Sequence, residues 1–199
     1  MYEKLPNLAI GFHGCSKEVF SRVINEQEEL NASTNDYDWL GNGIYFWENN
    51  VERAWEWARN RHGEDAAVVG AVLDLGYCLN LTDSASTMIL KTAYDILKAK
   101  YDEMGIDLPR NIPSKKTRDI LLRNLDCAVI QQAQQFYKDS DSKTKTAFDL
   151  VRGVFIEGEP PFPGSALFSK THIQICICNP NCIKGYFVPR TENTEYRLP

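Results

Sequence analysis

Apolar and polar positions alternate in blocks along the chain, and the blocks predict short strands at both ends with helices between. Leu8-Ala9-Ile10-Gly11-Phe12-His13 reads as a strand broken at Gly14. Ser16 is placed to cap a helix whose apolar residues Val19, Phe20, Val23 and Ile24 follow helical spacing. Residues 30 to 43 are polar and turn-rich. They end in Gly41-Asn42-Gly43, a hinge into Ile44-Tyr45-Phe46. A second helix fits 50 to 61, with Val51, Ala54, Trp55 and Ala58 on one stripe. The run Ala67 to Leu73 predicts a buried strand, and Tyr77 to Leu81 a further short one.

Asp83 or Ser84 opens a helix on Leu90, Tyr94, Leu97 and Tyr101, which Gly105 closes. After a proline-containing linker over 106 to 113, another helix is predicted from about Ser114, its stripe formed by Leu122, Leu125, Val129, Ala133 and Phe136. Asp139 to Lys145 reads as a surface loop. Phe148 to Ile156 returns to strand character, Gly158 to Gly164 is a stiff loop, and Thr171 to Cys178 is a core strand. Asn179-Pro180-Asn181 is a turn, and Ile183 to Val188 a final edge strand. The pattern predicts one α+β domain over 1–199, with a split, mostly antiparallel sheet and a helical insertion at about 84–145.

The 199 residues are 43% hydrophobic and 25% charged, enough for a real core. No stretch approaches the roughly 18 apolar residues that cross a bilayer, so no membrane partner is expected. Met1 to Pro6 lacks the basic start and apolar run of a signal peptide, which makes the expected location cytoplasmic. The net charge of -5 argues against a large non-specific nucleic-acid surface but leaves room for a local RNA or DNA contact. Lys115, Lys116, Arg118 and Arg123 form the one basic cluster, which reads as a solvated helix face. Cys176, Cys178 and Cys182 with His172 lack the spacing of a zinc site. The six cysteines read as reduced and structural, and no metal is expected.

Three segments stand apart. His13-Gly14-Cys15-Ser16 ends the first strand. Gly41-Asn42-Gly43-Ile44-Tyr45-Phe46 is followed by Arg53-Ala54-Trp55-Glu56-Trp57-Ala58. Thr171-His172-Ile173-Gln174-Ile175 leads the late strand. In this order and spacing they resemble the signature of the diphtheria-toxin/PARP-like ADP-ribosyltransferases: a His-Gly after the first strand, a Gly-x-Gly-Ile-Tyr-Phe segment about thirty residues later, a small residue and an aromatic on the next helix, and a late strand starting with a catalytic glutamate. The resemblance covers about residues 8 to 82 and 148 to 188.

It implies an enzyme that takes NAD as substrate and passes its ADP-ribose to an acceptor macromolecule (RNA, DNA or protein). Small proteins of this type resemble toxins of bacterial toxin–antitoxin and phage-defence systems, and a toxin would need a neutralising antitoxin.

Breaking the nicotinamide–ribose bond places positive charge on the ribose, so a site must clamp the flat ring and stabilise that charge. Tyr45 and Trp57 are the expected aromatic faces, with Trp55 the alternative to Trp57. The resemblance places the Gly14 backbone against the nicotinamide amide, and His13, with Ser16 nearby, on the adenosine-side ribose. Arg152 would meet the pyrophosphate. Gln174 stands where the family has its glutamate. An amide can bond a ribose hydroxyl but brings no full negative charge, which argues for mono-transfer rather than polymerisation. Glu157, or less readily Glu159, could supply the charge from the preceding loop. His172 shares a strand face with Gln174 and could orient it or touch the ribose. A catalytically inactive NAD or ADP-ribose binding module and an NAD glycohydrolase are the alternatives.

Overall fold

The computed structural model describes residues 7–114, 119–138 and 147–197. Seven strands form one sheet in the order β4-β7-β8-β2-β1-β3-β9. They are β1 (Leu8–Ser16), β2 (Ile44–Glu48), β3 (Ala66–Asp74), β4 (Cys78–Asn80), β7 (Leu150–Phe155), β8 (His172–Ile177) and β9 (Ile183–Phe187). Every pairing is antiparallel except β4 with β7. The helices are α1 (Lys17–Asn25), α2 (Val51–His62), α3 (Ser84–Met104) and α4 (Asn124–Lys138).

Local chemistry sets most of the boundaries. Ser16 caps α1 by accepting from the Val19 N–H, Asn50 caps α2 at Arg53, and Asp83 caps α3 at Ala85. Gly105 ends α3 in the left-handed conformation that glycine adopts freely.

Strand alternation sorts the sheet into two faces. On one lie Ile44, Phe46, Val69, Leu150, Ile175 and Ile177, packed with Val19, Phe20 and Val23 of α1. On the other, Tyr45, Val151, Phe155 and Cys176 pack with Leu40 and with Ile130 of α4. Further along that face Trp47 and Val68 meet Ala54 of α2.

The expected split of the sheet is not a separation into two. The join is nonetheless thin between β1 and β2, which pair only through Gly11↔Glu48 and Phe12↔Trp47, whereas β1 and β3 pair from Leu8↔Asp74 to Ser16↔Ala66.

The region between β4 and β7 differs from the expectation. The helix expected from about Ser114 begins at Asn124. Ile120–Arg123 is instead a strand (β6) paired with Asn111–Pro113 (β5). The Asn111 carboxamide oxygen accepts from the N–H groups of Leu125 and Asp126 at 3.0 and 3.3 Å, and its amide donates to Asp126 at 2.9 Å. The first turn of α4 is thus capped from more than ten residues upstream. Arg123 sits at a strand end rather than on a solvated helix face. Lys115, Lys116, Arg118 and the loop expected at 139–145 lie outside the described residues. Among those described, no helix is long and apolar enough to cross a membrane.

Candidate functional site

The thin seam between β1 and β2 places the first group of predicted residues. Beyond Phe12 the ladder stops, and the His13 side chain takes over: its Nδ1–H donates to the Tyr45 carbonyl at 2.8 Å. A carbonyl only accepts, so Nδ1 carries the hydrogen, and the neutral ring keeps Nε2 as an acceptor. Burial lowers the His13 pKa below its usual 6.5 and keeps the ring neutral.

Gly14 faces α2. A Cβ there would lie 2.6 Å from the Ala54 carbonyl oxygen and 3.1 Å from the Trp57 ring. The space freed by glycine is therefore taken by the helix, a packing role beside the expected approach to a ligand. Ser16 is committed to its cap.

Of the two tryptophans on α2, Trp55 packs with Trp47 and Val68, whereas Trp57 remains 43% exposed beside Gly14. Its ring centroid is 5.9 Å from that of Trp47. Tyr45 is not a free aromatic face. Its hydroxyl donates to the Gly41 carbonyl at 2.6 Å and accepts from the Leu40 N–H at 2.8 Å, tying down the loop before β2. Burial raises its pKa well above the usual 10. Gly41 sits at φ +80°, which favours glycine at that turn.

Gln174 pairs in register with Trp47 on β2 and with Gly153 on β7, so the three share a face. The Gln174 amide is half-buried and makes no hydrogen bond to a described residue. His172, two residues earlier, is enclosed by Trp39, Trp47 and Phe155, with ring separations of 6.5, 6.5 and 5.8 Å. Its Nδ1–H donates to the Lys170 carbonyl at 2.7 Å, and burial lowers its pKa.

Glu157 is buried beside it, 3.6 Å from Nδ1 of His172 and 3.0 Å from the guanidinium of Arg53. Burial raises the Glu157 carboxyl pKa in spite of Arg53. Arg53 also pairs with Glu56, which in turn pairs with Lys170, so charged side chains link α2 to the loop before β8. Glu159 makes only a backbone contact, its carbonyl accepting from Ser169.

Three buried nitrogens in this cluster have no hydrogen-bond partner among the described residues: Trp47 Nε1, Arg53 Nε and His172 Nε2. Two are N–H donors, and the third, given the donating Nδ1, is an acceptor. Buried polar atoms are nearly always paired, so three unpaired nitrogens in one cluster set it apart from the rest of the core.

Not every predicted residue comes to this place. Arg152 lies on the opposite face, where Glu48 takes its guanidinium through two hydrogen bonds of 2.6 and 3.1 Å and Asn80 takes a third. His13 projects to that face as well, beside Phe46, and reaches the other only through the seam. Sequence reading missed Arg53 as a site residue. It left Trp47 out of the aromatic pair, although the residue stands directly after the Gly-x-Gly-Ile-Tyr-Phe segment.

The cysteines lie apart from the cluster around His172. Cys176 and Cys178 donate to backbone carbonyls, Cys182 packs in the core of the opposite face, and all six are free thiols. Among the described residues no group of three or more His, Cys, Asp or Glu is arranged around a common point.

No family model matches the chain, and no solved structure matches it. An uncharacterized protein of Methanocaldococcus jannaschii is 24% identical over an alignment spanning 87% of this chain and 83% of its own length.

Proposed function

We propose that this chain binds NAD across the seam between β1 and β2 and transfers its ADP-ribose to an acceptor macromolecule, as a mono-ADP-ribosyltransferase. One observation carries the reading. The unpartnered Gln174 amide lies on the same face as two buried nitrogens that also lack partners, the Trp47 Nε1–H donor and the His172 Nε2 acceptor. A ribose hydroxyl donates and accepts at once, so it complements this mixture where a carboxylate, a phosphate or an apolar group does not.

The surroundings suit the rest of the substrate. Trp57, exposed beside Trp47, offers a flat face for a cationic ring. Glu157 is the acid–base group nearest to His172 and can supply negative charge as the ribose becomes cationic. Gln174 orients the ribose, and Arg53 holds Glu157 in place. Arg152 has no part in the reaction; its role is to tie β7 to β2 through Glu48.

The test is nicotinamide release from NAD by purified protein, with and without added protein, RNA or DNA, together with label transfer from NAD. Release with label on one acceptor class supports transfer. Release without label makes the protein a glycohydrolase. Binding without release makes it a binding module, the outcome that an amide at Gln174 favours over a glutamate. Absence of NAD binding overturns the reading. Gln174→Ala is expected to lower turnover more than NAD affinity, because the contact strengthens as charge develops.

A further inference from the structure

On the far side of β8 from the seam, a cavity of about 820 Å³ opens between α3, α4 and β7, lined among others by Trp39, Leu90, Tyr94, Arg123, Ile130 and Phe155. Its inner end is an aromatic corner in which the rings of Trp39 and Phe155 lie 4.6 Å apart. A guanidinium already sits there: Cζ of Arg123 is 4.5 Å from the Trp39 ring centre and 4.9 Å from that of Phe155. Arg123 is held on its other side by modest contacts, a 3.3 Å bond from Nε to the Ile120 carbonyl and a 3.5 Å approach to Asp126. Behind the corner lies His172, and behind His172 the Glu157 carboxylate.

We propose that this corner seats an arginine side chain of an acceptor protein, and that Arg123 fills the seat when no acceptor is bound. The chemistry of the occupant is read from the chain's own stand-in: two ring faces attract a planar, weakly hydrated cation, and a guanidinium stacks on them better than an ammonium does. The position follows from the strand register. Phe155 pairs with His172 and Gly153 with Gln174, so the cavity abuts the strand that carries the ribose-facing groups, opposite the seam. The net charge of -5 favours a cationic protein over a polyanion.

The use made of the seat rests on the transfer reading above; its ability to bind does not. In transfer, the nicotinamide–ribose bond breaks with its electron pair leaving on nicotinamide. A nucleophilic group of the bound acceptor supplies the pair for the new bond to the ribose carbon and its proton passes to the Glu157 carboxylate, while the seated arginine, separated from Glu157 by His172, anchors the acceptor.

The experiment omits NAD. The full chain is titrated with a short peptide containing arginine, with its lysine counterpart and with agmatine, reading tryptophan fluorescence and calorimetric heat. The arginine peptide is expected to bind and the lysine peptide to bind more weakly. If Arg123 fills the seat about nine-tenths of the time, Arg123→Ala tightens arginine-peptide binding about tenfold. Trp39→Leu is expected to abolish binding. Agmatine binding as tightly as the peptide would identify a small guanidine rather than a protein as the ligand, and would overturn the protein acceptor. Binding by Arg123→Ala alone, with none by the wild-type chain, would show a private seat for Arg123 and overturn the proposal, as would absence of arginine-peptide binding to the wild type. The wild-type titration decides even if the variants fail to fold. Nicotinamide release, measured separately, shows whether NAD chemistry survives a failure here. Label moving from NAD to RNA rather than protein would also overturn the proposal.

Discussion

Removal of the Tyr45 hydroxyl tests whether that residue is a structural tie. In Tyr45→Phe the Leu40 N–H loses its partner at 2.8 Å and the Gly41 carbonyl its donor at 2.6 Å. The two losses differ in weight. Leu40 is 1% exposed, so its N–H is left without an easy route to water; an unsatisfied buried donor costs about 1–3 kcal/mol. Gly41 keeps the weaker Cys176 thiol donor at 3.5 Å, so its carbonyl adds little. A total of about 2 kcal/mol follows. For a chain of this size that is a fall in Tm of about 4–8 °C. Urea unfolding followed by tryptophan fluorescence measures the stability, and amide exchange at Leu40 reports the local loss. A change under about 0.5 kcal/mol, with Leu40 still protected, would refute the reasoning and return the hydroxyl to a ligand-facing role.

Gly14→Ala places a methyl against the Ala54 carbonyl, a backbone atom that cannot swing away, so α2 must shift; overpacking of this kind costs about 1–3 kcal/mol, and unchanged urea stability would count against the packing described. Arg53→Met leaves both Glu157 and Glu56 without a guanidinium and is expected to cost about 3 kcal/mol in urea unfolding, since breaking a largely buried pair strands its partner. The His13 and His172 pKa values are lowered by burial, so folding opposes protonation of both rings. Their contribution to stability is complete above the ordinary 6.5 and is lost as pH falls through the depressed values. His172→Asn is expected to flatten the fall of Tm between neutral and acid pH, and a slope equal to the wild type's would exclude His172 as a source.

The elements legible in the sequence are those fixed by their own residues. Ser16 and Asp83 cap the helices they precede, Gly105 ends α3, and the run Ala67 to Leu73 is the strand buried most continuously. The start of α4 was illegible because its cap, Asn111, comes from outside the helix, and because the apolar residues Ile120 to Leu122 fit a helical stripe as well as a strand. Of the candidate site, the segment around Gln174 could be chosen from the order of motifs, whereas His13 turns to the opposite face and the Tyr45 hydroxyl is tied to Leu40 and Gly41. The partners of Gln174 and Glu157 could not be chosen. Trp47 faces Gln174 only through cross-strand register, and Arg53 meets Glu157 across 104 residues of chain. For Arg152 the sequence carries no sign that Glu48 already holds it.

The long ladder of β3 has a consequence for how the chain is made. Its residues from Gly70 to Leu73 pair with β9, the last strand, at Ile183 to Phe187. During synthesis the ribosome releases β3 more than a hundred residues before that partner, so one side of a strand rich in valine and alanine stays uncovered on the nascent chain. Truncation before Ile183 is therefore expected to yield a product that self-associates through that bare edge, even though it keeps every residue of the cluster around His172 and Gln174.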